Sequence, residues 1–351
     1  MKKILVTGTA GFIGFHLINK LKESQYNIIG LDNINDYYDV NLKYARLQQT
    51  GILRNEIVYG KLTRSSVIPS YKFIQLDLCD KEKIADLFKQ EQFDSVVHLA
   101  AQAGVRYSII NPHAYTDANI TGFLNILEGC RSVNTKHLVF ASTSSVYGLN
   151  TNMPLNVHQS TEHPITLYAA TKKANEMMAH SYSHLFHLPV TGVRFFTAYG
   201  PWGRPDMALF LFTKAILSNE PIKVFNKGEM IRDFTYVTDI AEGLCKILEK
   251  PTQANANWNT NSHDPASSSA AYRIVNIGNS KPVSLMDYIN AVEKAIGKKA
   301  IKEMLPLQPG DVPATNADVS DLINDYNYKP TTEVNEGVKK FIEWYRAFYK
   351  V

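Results

Sequence analysis

The chain has 351 residues, 45% of them hydrophobic, enough to bury one large core or two modest ones. Lys and Arg total 37 against 33 Asp and Glu, a net charge of +4 that is scattered rather than massed, so no nucleic-acid footprint is present. No apolar run approaches the ~18 residues of a membrane span. Cys79, Cys130 and Cys245 have neither disulfide nor metal spacing, so reduced thiols, no metal site and a soluble, cytoplasmic protein are expected.

The first apolar run, Ile4-Leu5-Val6-Thr7, leads into Gly8-Thr9-Ala10-Gly11-Phe12-Ile13-Gly14 and a helical stretch over 12–22. A glycine loop between a strand and a helix is the context of a dinucleotide fingerprint. Gly8 allows the tight turn, Gly11 admits the pyrophosphate, Gly14 lets helix pack on strand, and the helix N-terminus offers free N–H groups to the phosphates. A second strand over 28–31 ends at Asp32, whose carboxylate suits two ribose hydroxyls and repels a 2′-phosphate, so NAD is expected rather than NADP.

Further strands are expected over 73–76, 95–99, 137–141 and 190–195, with helices over 81–90, 112–132 and 168–185. This βαβ alternation predicts an α/β fold with a Rossmann-type doubly wound parallel sheet and a ligand outside the carboxyl ends of its strands. Asp77 ends the third strand, where it either faces an adenine or is a plain strand-end carboxylate. His98, at a buried strand end, reads as a core histidine. After Gly200 the texture becomes less regular, which predicts a smaller C-terminal α/β domain, with 274–277 as a late strand that rejoins the first sheet. The segment 49–71 could be a hairpin, a lid or a partner surface, and 252–271 reads as a mobile surface loop. The apolar spacing of Val334, Val338, Phe341, Ile342, Tyr345 and Phe348 is that of a packed helix.

The sharpest chemical signal is Tyr168-Ala169-Ala170-Thr171-Lys172. A spacing of four puts the phenol and the ammonium on one helix face, where the cation can lower the tyrosine pKa toward that of a general base. The hydroxyl run Ser142-Thr143-Ser144-Ser145 lies upstream. Together with the glycine loop, these describe a site that moves a hydride to or from a nicotinamide.

These motifs resemble those of the extended short-chain dehydrogenase/reductases. Nearly end to end the chain is most similar to the nucleotide-sugar epimerases of that family, the UDP-glucuronate 4-epimerases in particular. The resemblance is carried by the glycine loop and by Asp36-Tyr37-Tyr38-Asp39, His98-Leu99-Ala100-Ala101-Gln102-Ala103-Gly104-Val105-Arg106 and Ala141-Ser142-Thr143-Ser144-Ser145-Val146-Tyr147-Gly148. Later it runs through Arg194-Phe195-Phe196-Thr197-Ala198-Tyr199-Gly200-Pro201, Arg232-Asp233-Phe234 and Gln308-Pro309-Gly310-Asp311-Val312. It implies an NAD-binding domain over 1–196, with segments near 234–250 and 273–298 returning to it, and a UDP-sugar-binding domain over 197–351.

The same resemblance implies the site residues. Tyr168 is the base, Lys172 its electrostatic partner, and Thr143 the partner of the sugar 4-oxygen. On the cofactor side stand Gly8, Gly11, Phe12, Ile13, Gly14, Asp32, Asn33, Asp77, Leu78, Leu99, Ala100, Ala101, Asn119, Ser142 and Phe195. On the substrate side stand Arg106, Ser144, Ser145, Thr197, Arg204, Val224, Arg232 and Asp311, with Arg232 at the phosphates and Asp311 at the uridine ribose. A homodimer formed through the helices over 112–132 and 168–185 is a further implication. Dehydratases of the superfamily need acids beside the catalytic Thr, and decarboxylases keep a Glu two residues after it; here those places hold Ser144 and Ser145. Two hydroxyls there, with Thr197, can instead donate to a C6 carboxylate and hold it out of alignment with a C4 ketone. A 4-epimerase of neutral or N-acetylated UDP-hexoses, a decarboxylase and an NAD-bound scaffold are the competing functions.

Overall fold

The computed structural model describes residues 1–261 and 264–351. An eight-stranded sheet dominates it. In chain order its strands are β1 (Lys2–Thr7), β2 (Tyr26–Asp32), β3 (Leu62–Arg64), β4 (Tyr71–Gln75), β5 (Ser95–His98), β6 (His137–Thr143) and β7 (Val190–Phe195), with β11 (Tyr272–Ile277) last. The spatial order is β11-β7-β6-β5-β1-β2-β4-β3, and every pair is parallel except β3 with β4. A chain that goes from β1 to β2 on one side and reaches β5 on the other makes a topological switch point at the carboxyl end of β1, the ordinary ligand crevice of such sheets.

The strands are apolar on both faces because helices cover both. Ile4 and Val6 face a core shared with Leu17 and Ile18 of the helix Phe12–Leu21 and Ile240 and Leu244 of the helix Val237–Glu249. Leu5 faces the opposite core, with Leu87 and Phe88 of Lys81–Glu91 and Phe123, Ile126 and Leu127 of Gly122–Ser132. Alternation at period two within one strand thus feeds two layers.

The segment 49–71 is a hairpin-like cover: β3 pairs antiparallel with β4 (Thr63 opposite Phe73) and occupies the sheet edge. Of 252–271, residues 262 and 263 lie outside the described residues. Its later part is tied down, with Ser268 accepting or donating at His180 Nε2 (2.9 Å) and Asp264 bonded to His158 Nδ1 (2.7 Å).

Beyond β7 lie β8 (Thr197–Tyr199), β9 (Ile222–Val224), β10 (Ile231–Tyr236), β12 (Pro282–Ser284) and β13 (Lys302–Met304). β10 pairs with β8 and β12 in a small sheet, and β9 pairs with β13. A third core of Phe210, Phe212, Tyr288, Ile289, Phe341 and Tyr345 covers this region. Of the segment near 273–298, β11 extends the main sheet, whereas the helix Leu285–Ile296 packs in this third core. No helix among the described residues is long and apolar enough to cross a membrane.

Candidate active site

One continuous cleft of about 1400 Å³ runs along the carboxyl ends of the main strands and under the second sheet. A single drug-sized ligand fills ~300–1,000 Å³, so this volume suits a dinucleotide and a second ligand together. Gly8, Gly11, Phe12, Ile13, Gly14, Asp32, Asn33, Asp77, Leu78, Leu99, Ala100 and Ala101 line one end. The glycines are required by the geometry. Gly8 has φ +78°, and a Cβ there would lie 2.8 Å from the Ala100 nitrogen, while a Cβ at Gly14 would lie 2.1 Å from the Gly8 carbonyl. Asp32 accepts from the backbone N–H of Ala10 (3.1 Å) and of Ile34 (2.8 Å), which fixes the carboxylate at the strand end with lone pairs left for the cleft. Asn33 Nδ2 donates to Asp77 (3.0 Å), and Asp77 also accepts from the Cys79 N–H (2.8 Å). These residues fit NAD: a tight loop at a helix N-terminus for the pyrophosphate and a carboxylate at the end of β2 for the ribose.

Midway along the cleft lie Thr143, Tyr168 and Lys172. Tyr168 stands at the start of the helix Leu167–Phe186, whose N-cap Thr166 accepts from the Ala169 N–H (3.2 Å). Thr143 Oγ1 contacts both the Ser145 N–H and its hydroxyl (3.2 Å each). Burial raises the Tyr168 pKa; hydrogen bonding to Thr143 and the Arg204 charge oppose that without overcoming it. Burial also lowers Lys172 to about 8, against the pull of the Glu176 carboxylate. Desolvation is the largest influence on both groups and favours their neutral forms.

Below this pair lies an ion pair that the sequence reading missed. Glu176 and Arg194 are both fully buried, with Arg194 Nε and Nη2 each 2.9 Å from a Glu176 oxygen. Ser142 donates to the same carboxylate (2.6 Å), so its hydroxyl is committed there although the residue lines the cleft. The available signal was the stripe Tyr168, Lys172, Glu176, each one turn apart on one helix face.

Asn119, expected against the cofactor, is 1% exposed and is not part of the cleft wall. It sits in a π-helical turn over 116–121 and braces the wall from behind: its Oδ1 accepts from the Gln102 N–H (2.8 Å), and its Nδ2 donates to Gln102 O and Thr171 Oγ1 (3.1 Å each). The wider turn exposes carbonyls, and Asn175 Nδ2 takes that of Asn119 (2.6 Å). The side chain of Val224, expected at the substrate, is wholly buried in the third core, and the neighbouring Phe225 lines the cleft.

Ser144, Ser145, Phe195, Thr197 and Arg204 surround the middle of the cleft. Arg204 is held by Asp206 through Nε (3.0 Å) and Nη2, and Tyr37 OH donates to the same carboxylate (3.0 Å). Burial pushes Asp206 up, but Arg204 outweighs it and keeps the carboxyl below its usual range. At the far end Arg106 bonds Asp311 (3.0 Å) with its guanidinium 5.0 Å from the Phe225 ring centre. Arg232 donates to the Pro313 carbonyl (3.1 Å), and burial lowers its pKa. Sequence reading did not single out Asp206 or Phe225, which follow no motif spacing. His98 is a core histidine as expected, 2% exposed and bonded to Thr7 Oγ1 (2.9 Å), with burial and Lys172 lowering it to about 3.

A switch-point dinucleotide loop and a Tyr–Lys–Thr group in one cleft define a nicotinamide-dependent enzyme of the short-chain dehydrogenase/reductase type. The chain belongs to the NAD dependent epimerase/dehydratase family, whose model matches residues 4–278. It is 51% identical over 348 residues to Protein CapI of Staphylococcus aureus, covering 99% of each chain. It is 44% identical over 349 residues to a probable UDP-glucuronate 4-epimerase of Rhizobium meliloti (strain 1021), covering 99% of this chain and 98% of that one. Among solved structures it resembles the UDP-glucuronic acid 4-epimerase from Bacillus cereus in complex with UDP-glucuronic acid and NAD. That match has a TM-score of 0.82 and 31% identity, over 99% of this chain and 100% of that chain.

Proposed function

We propose that this chain is an isomerase, an NAD-dependent UDP-glucuronate 4-epimerase that interconverts UDP-glucuronate and UDP-galacturonate. The observation that carries this reading is the company of Tyr168, Lys172 and Thr143 in the cleft: Ser144, Ser145, Thr197 and Arg204, a shell of hydroxyls and one guanidinium suited to a carboxylate. Held by the Gly8–Gly14 turn and Asp32, oxidised NAD would supply a nicotinamide able to take the C4 hydride and give it back to the opposite face of the ketone, and a positive charge that would favour the phenolate. Tyr168 takes the O4 proton and later gives it back, while Thr143 hydrogen-bonds O4. Lys172 steadies the phenolate and holds the nicotinamide ribose. Arg232 and Arg106 balance the diphosphate, and Asp311 accepts from the uridine ribose.

The 4-keto acid is β to its carboxylate and loses CO2 when the C5–C6 bond aligns with the carbonyl π system. Donors on the carboxylate hold that bond out of alignment, so the same contacts that recognise a uronate protect it. Such a product is an activated uronic acid for cytoplasmic polysaccharide synthesis, and the working form is a homodimer paired through the helix Leu167–Phe186 and its neighbour Gly122–Ser132. On those helices Phe123, Ile126 and Leu127 are fully buried in the protomer's own core. Leu124, Met177, Leu185 and Phe186 are the exposed ones, at 40, 48, 63 and 44%.

The test is incubation of purified protein with a panel of UDP-sugars, without added reductant. UDP-glucuronate should give UDP-galacturonate near parity with little CO2. Turnover of UDP-glucose or UDP-N-acetylglucosamine alone, with the uronate inert, refutes the assignment.

A further inference from the structure

Arg46 lies in the helix Val40–Gln49, outside every motif of the fold, and is 0% exposed. A buried cation ordinarily has a carboxylate beside it. All the hydrogen bonds of Arg46 go instead to neutral oxygens. Nη1 donates to the Ala10 carbonyl (2.8 Å) and the Tyr38 hydroxyl (2.7 Å), Nε to the Trp202 carbonyl (3.2 Å), and Nη2 to the carbonyls of Trp202 (2.7 Å) and Gly203 (3.4 Å).

Those acceptors belong to three separate loops. Ala10 is in the Gly8–Gly14 turn, and its own N–H is held by Asp32. Tyr38 follows β2, and its neighbour Tyr37 reaches Asp206. Trp202 and Gly203 immediately precede Arg204. The guanidinium fork therefore joins the turn that receives the pyrophosphate to the loop that presents Arg204 to the middle of the cleft.

The second loop is otherwise held from two sides, by the helix after the glycine turn and by the C-terminal helix. His16, on the helix after the glycine turn, bonds the Pro201 carbonyl (2.9 Å), and burial lowers its pKa to about 4, so it stays neutral there. The Trp202 ring packs on Phe15 of the same helix (centroids 5.3 Å apart) and, on its other contacts, on Trp344 and Phe348 of the C-terminal helix Val334–Tyr349. Trp202 itself has φ +62°, a left-handed conformation that a bulky residue adopts only when its surroundings enforce it.

We propose that Arg46 is a positioning residue that couples occupancy of the dinucleotide end to the placement of Arg204 at the sugar end, so that NAD and UDP-glucuronate each tighten the binding of the other. This rests on the assignment of those two ligands above. A positive charge with no carboxylate bonded to it among the described residues, donating to the Ala10 carbonyl, also favours the pyrophosphate electrostatically, a second contribution that a neutral replacement would remove.

The coupling is measured on the Tyr168→Phe protein, which binds without turning over. NAD affinity is determined with and without saturating UDP-glucuronate, with Arg46 intact, replaced by Lys, or replaced by Met. With Arg46 intact, UDP-glucuronate should tighten NAD at least about fivefold, the lower end of measured coupling between sites. Arg46→Met should weaken NAD alone and bring the coupling factor close to one. Arg46→Lys, which keeps the charge but loses the fork, should restore NAD affinity more than coupling. A merely structural role would weaken both ligands and leave their ratio unchanged. Because the variants can fail to fold, hydrogen exchange on the native protein supplies a second reading: NAD alone should slow exchange over 200–206. Coupling retained in Arg46→Met, or exchange over 200–206 indifferent to NAD, overturns the inference and leaves the function assignment standing. Failure of UDP-glucuronate to bind with Arg46 intact overturns both, and is recognised by that absence of binding.

Discussion

Replacement of Thr197 by Val isolates the carboxylate grip from the rest of the chemistry. Thr197 begins β8, where its backbone is fixed by pairing opposite Phe234 of β10, and its side chain lines the cleft. Its hydroxyl has no hydrogen-bond partner among the described residues. Valine has the same β-branched shape and suits a strand equally well. The free protein should therefore keep its stability within about 0.5 kcal/mol, the ordinary range for a substitution that breaks nothing. With substrate bound, one hydrogen bond to a charged group is lost, worth ~1.5–3 kcal/mol, or about 10–150-fold. The loss is greatest if the bond is strongest when the 4-keto acid is held flat, and part of it should then emerge as the decarboxylated 4-keto-pentose. Chromatography of the UDP-sugars alongside trapping of released CO2 separates the two effects. Thr197→Val should slow epimerisation and raise CO2 per turnover with NAD affinity unchanged. Wild-type rate and product ratio in a folded variant would mean that Thr197 only packs against its neighbours.

Tyr168→Phe should retain NAD and UDP-sugar binding while kcat falls by about 10² or more, the scale of a lost general base; near-normal turnover would place the base elsewhere. Lys172→Met should lose turnover and also weaken NAD. Acid should destabilise the fold through its buried histidines: burial lowers His98 to about 3, and His16 and His137 to about 4, from 6.5. The unfolded chain binds protons that the folded one refuses, so this stability is complete above pH 6.5 and is lost as pH falls from there to about 4 for His16 and His137 and to about 3 for His98. At pH 5 each histidine costs ~2 kcal/mol relative to neutral pH, ~6 kcal/mol in all. His158, raised to about 9 by Asp321 and then Asp264, acts in the opposite sense between pH 6.5 and 9 and changes little below pH 7. Equal urea-unfolding free energies at pH 7 and pH 5 would contradict the sign. Light scattering at micromolar concentration should give a dimer mass, and a monomer would remove the helix pairing proposed above.

Local signals carried the main sheet. Its parallel strands are short apolar runs, β1 and β11 followed at once by a glycine and β2 ending on an acid, and a strand buried on both faces needs little else to be recognised. The glycine loop was legible because only glycine survives 2.1 Å from a carbonyl oxygen, and Tyr168 with Lys172 because a helix makes the fourth residue a neighbour. Other features depend on contacts between distant segments. Nothing near Arg46 in sequence announces a fork onto Ala10 and Trp202, the latter 156 residues away. Val224 and Phe225 are adjacent, and only the pairing of β9 with β13 decides which of them enters the cleft. Asn119 was found by resemblance yet acts one layer deeper, because a π-helical turn rotates it toward Gln102 and Thr171.

The same contrast separates what the catalytic helix contributes from what holds it. Tyr168 and Lys172 gain nothing from burial in the free protein, since desolvation raises one and lowers the other toward neutrality. Their usefulness depends on meeting Thr143 at a fixed height. One turn further along, Glu176 ties the helix to Ser142, adjacent to Thr143 on β6, and to Arg194, adjacent to Phe195 on β7. Removal of one partner would strand a buried charge and cost about 3–5 kcal/mol, whereas the intact pair adds little net stability over an apolar filling. A helix sliding by one residue along the sheet would break all these bonds at once. The pair is thus better understood as fixing the register of the base against the hydroxyl than as strengthening the fold, and it places a carboxylate where it keeps Lys172 more basic than burial alone would leave it.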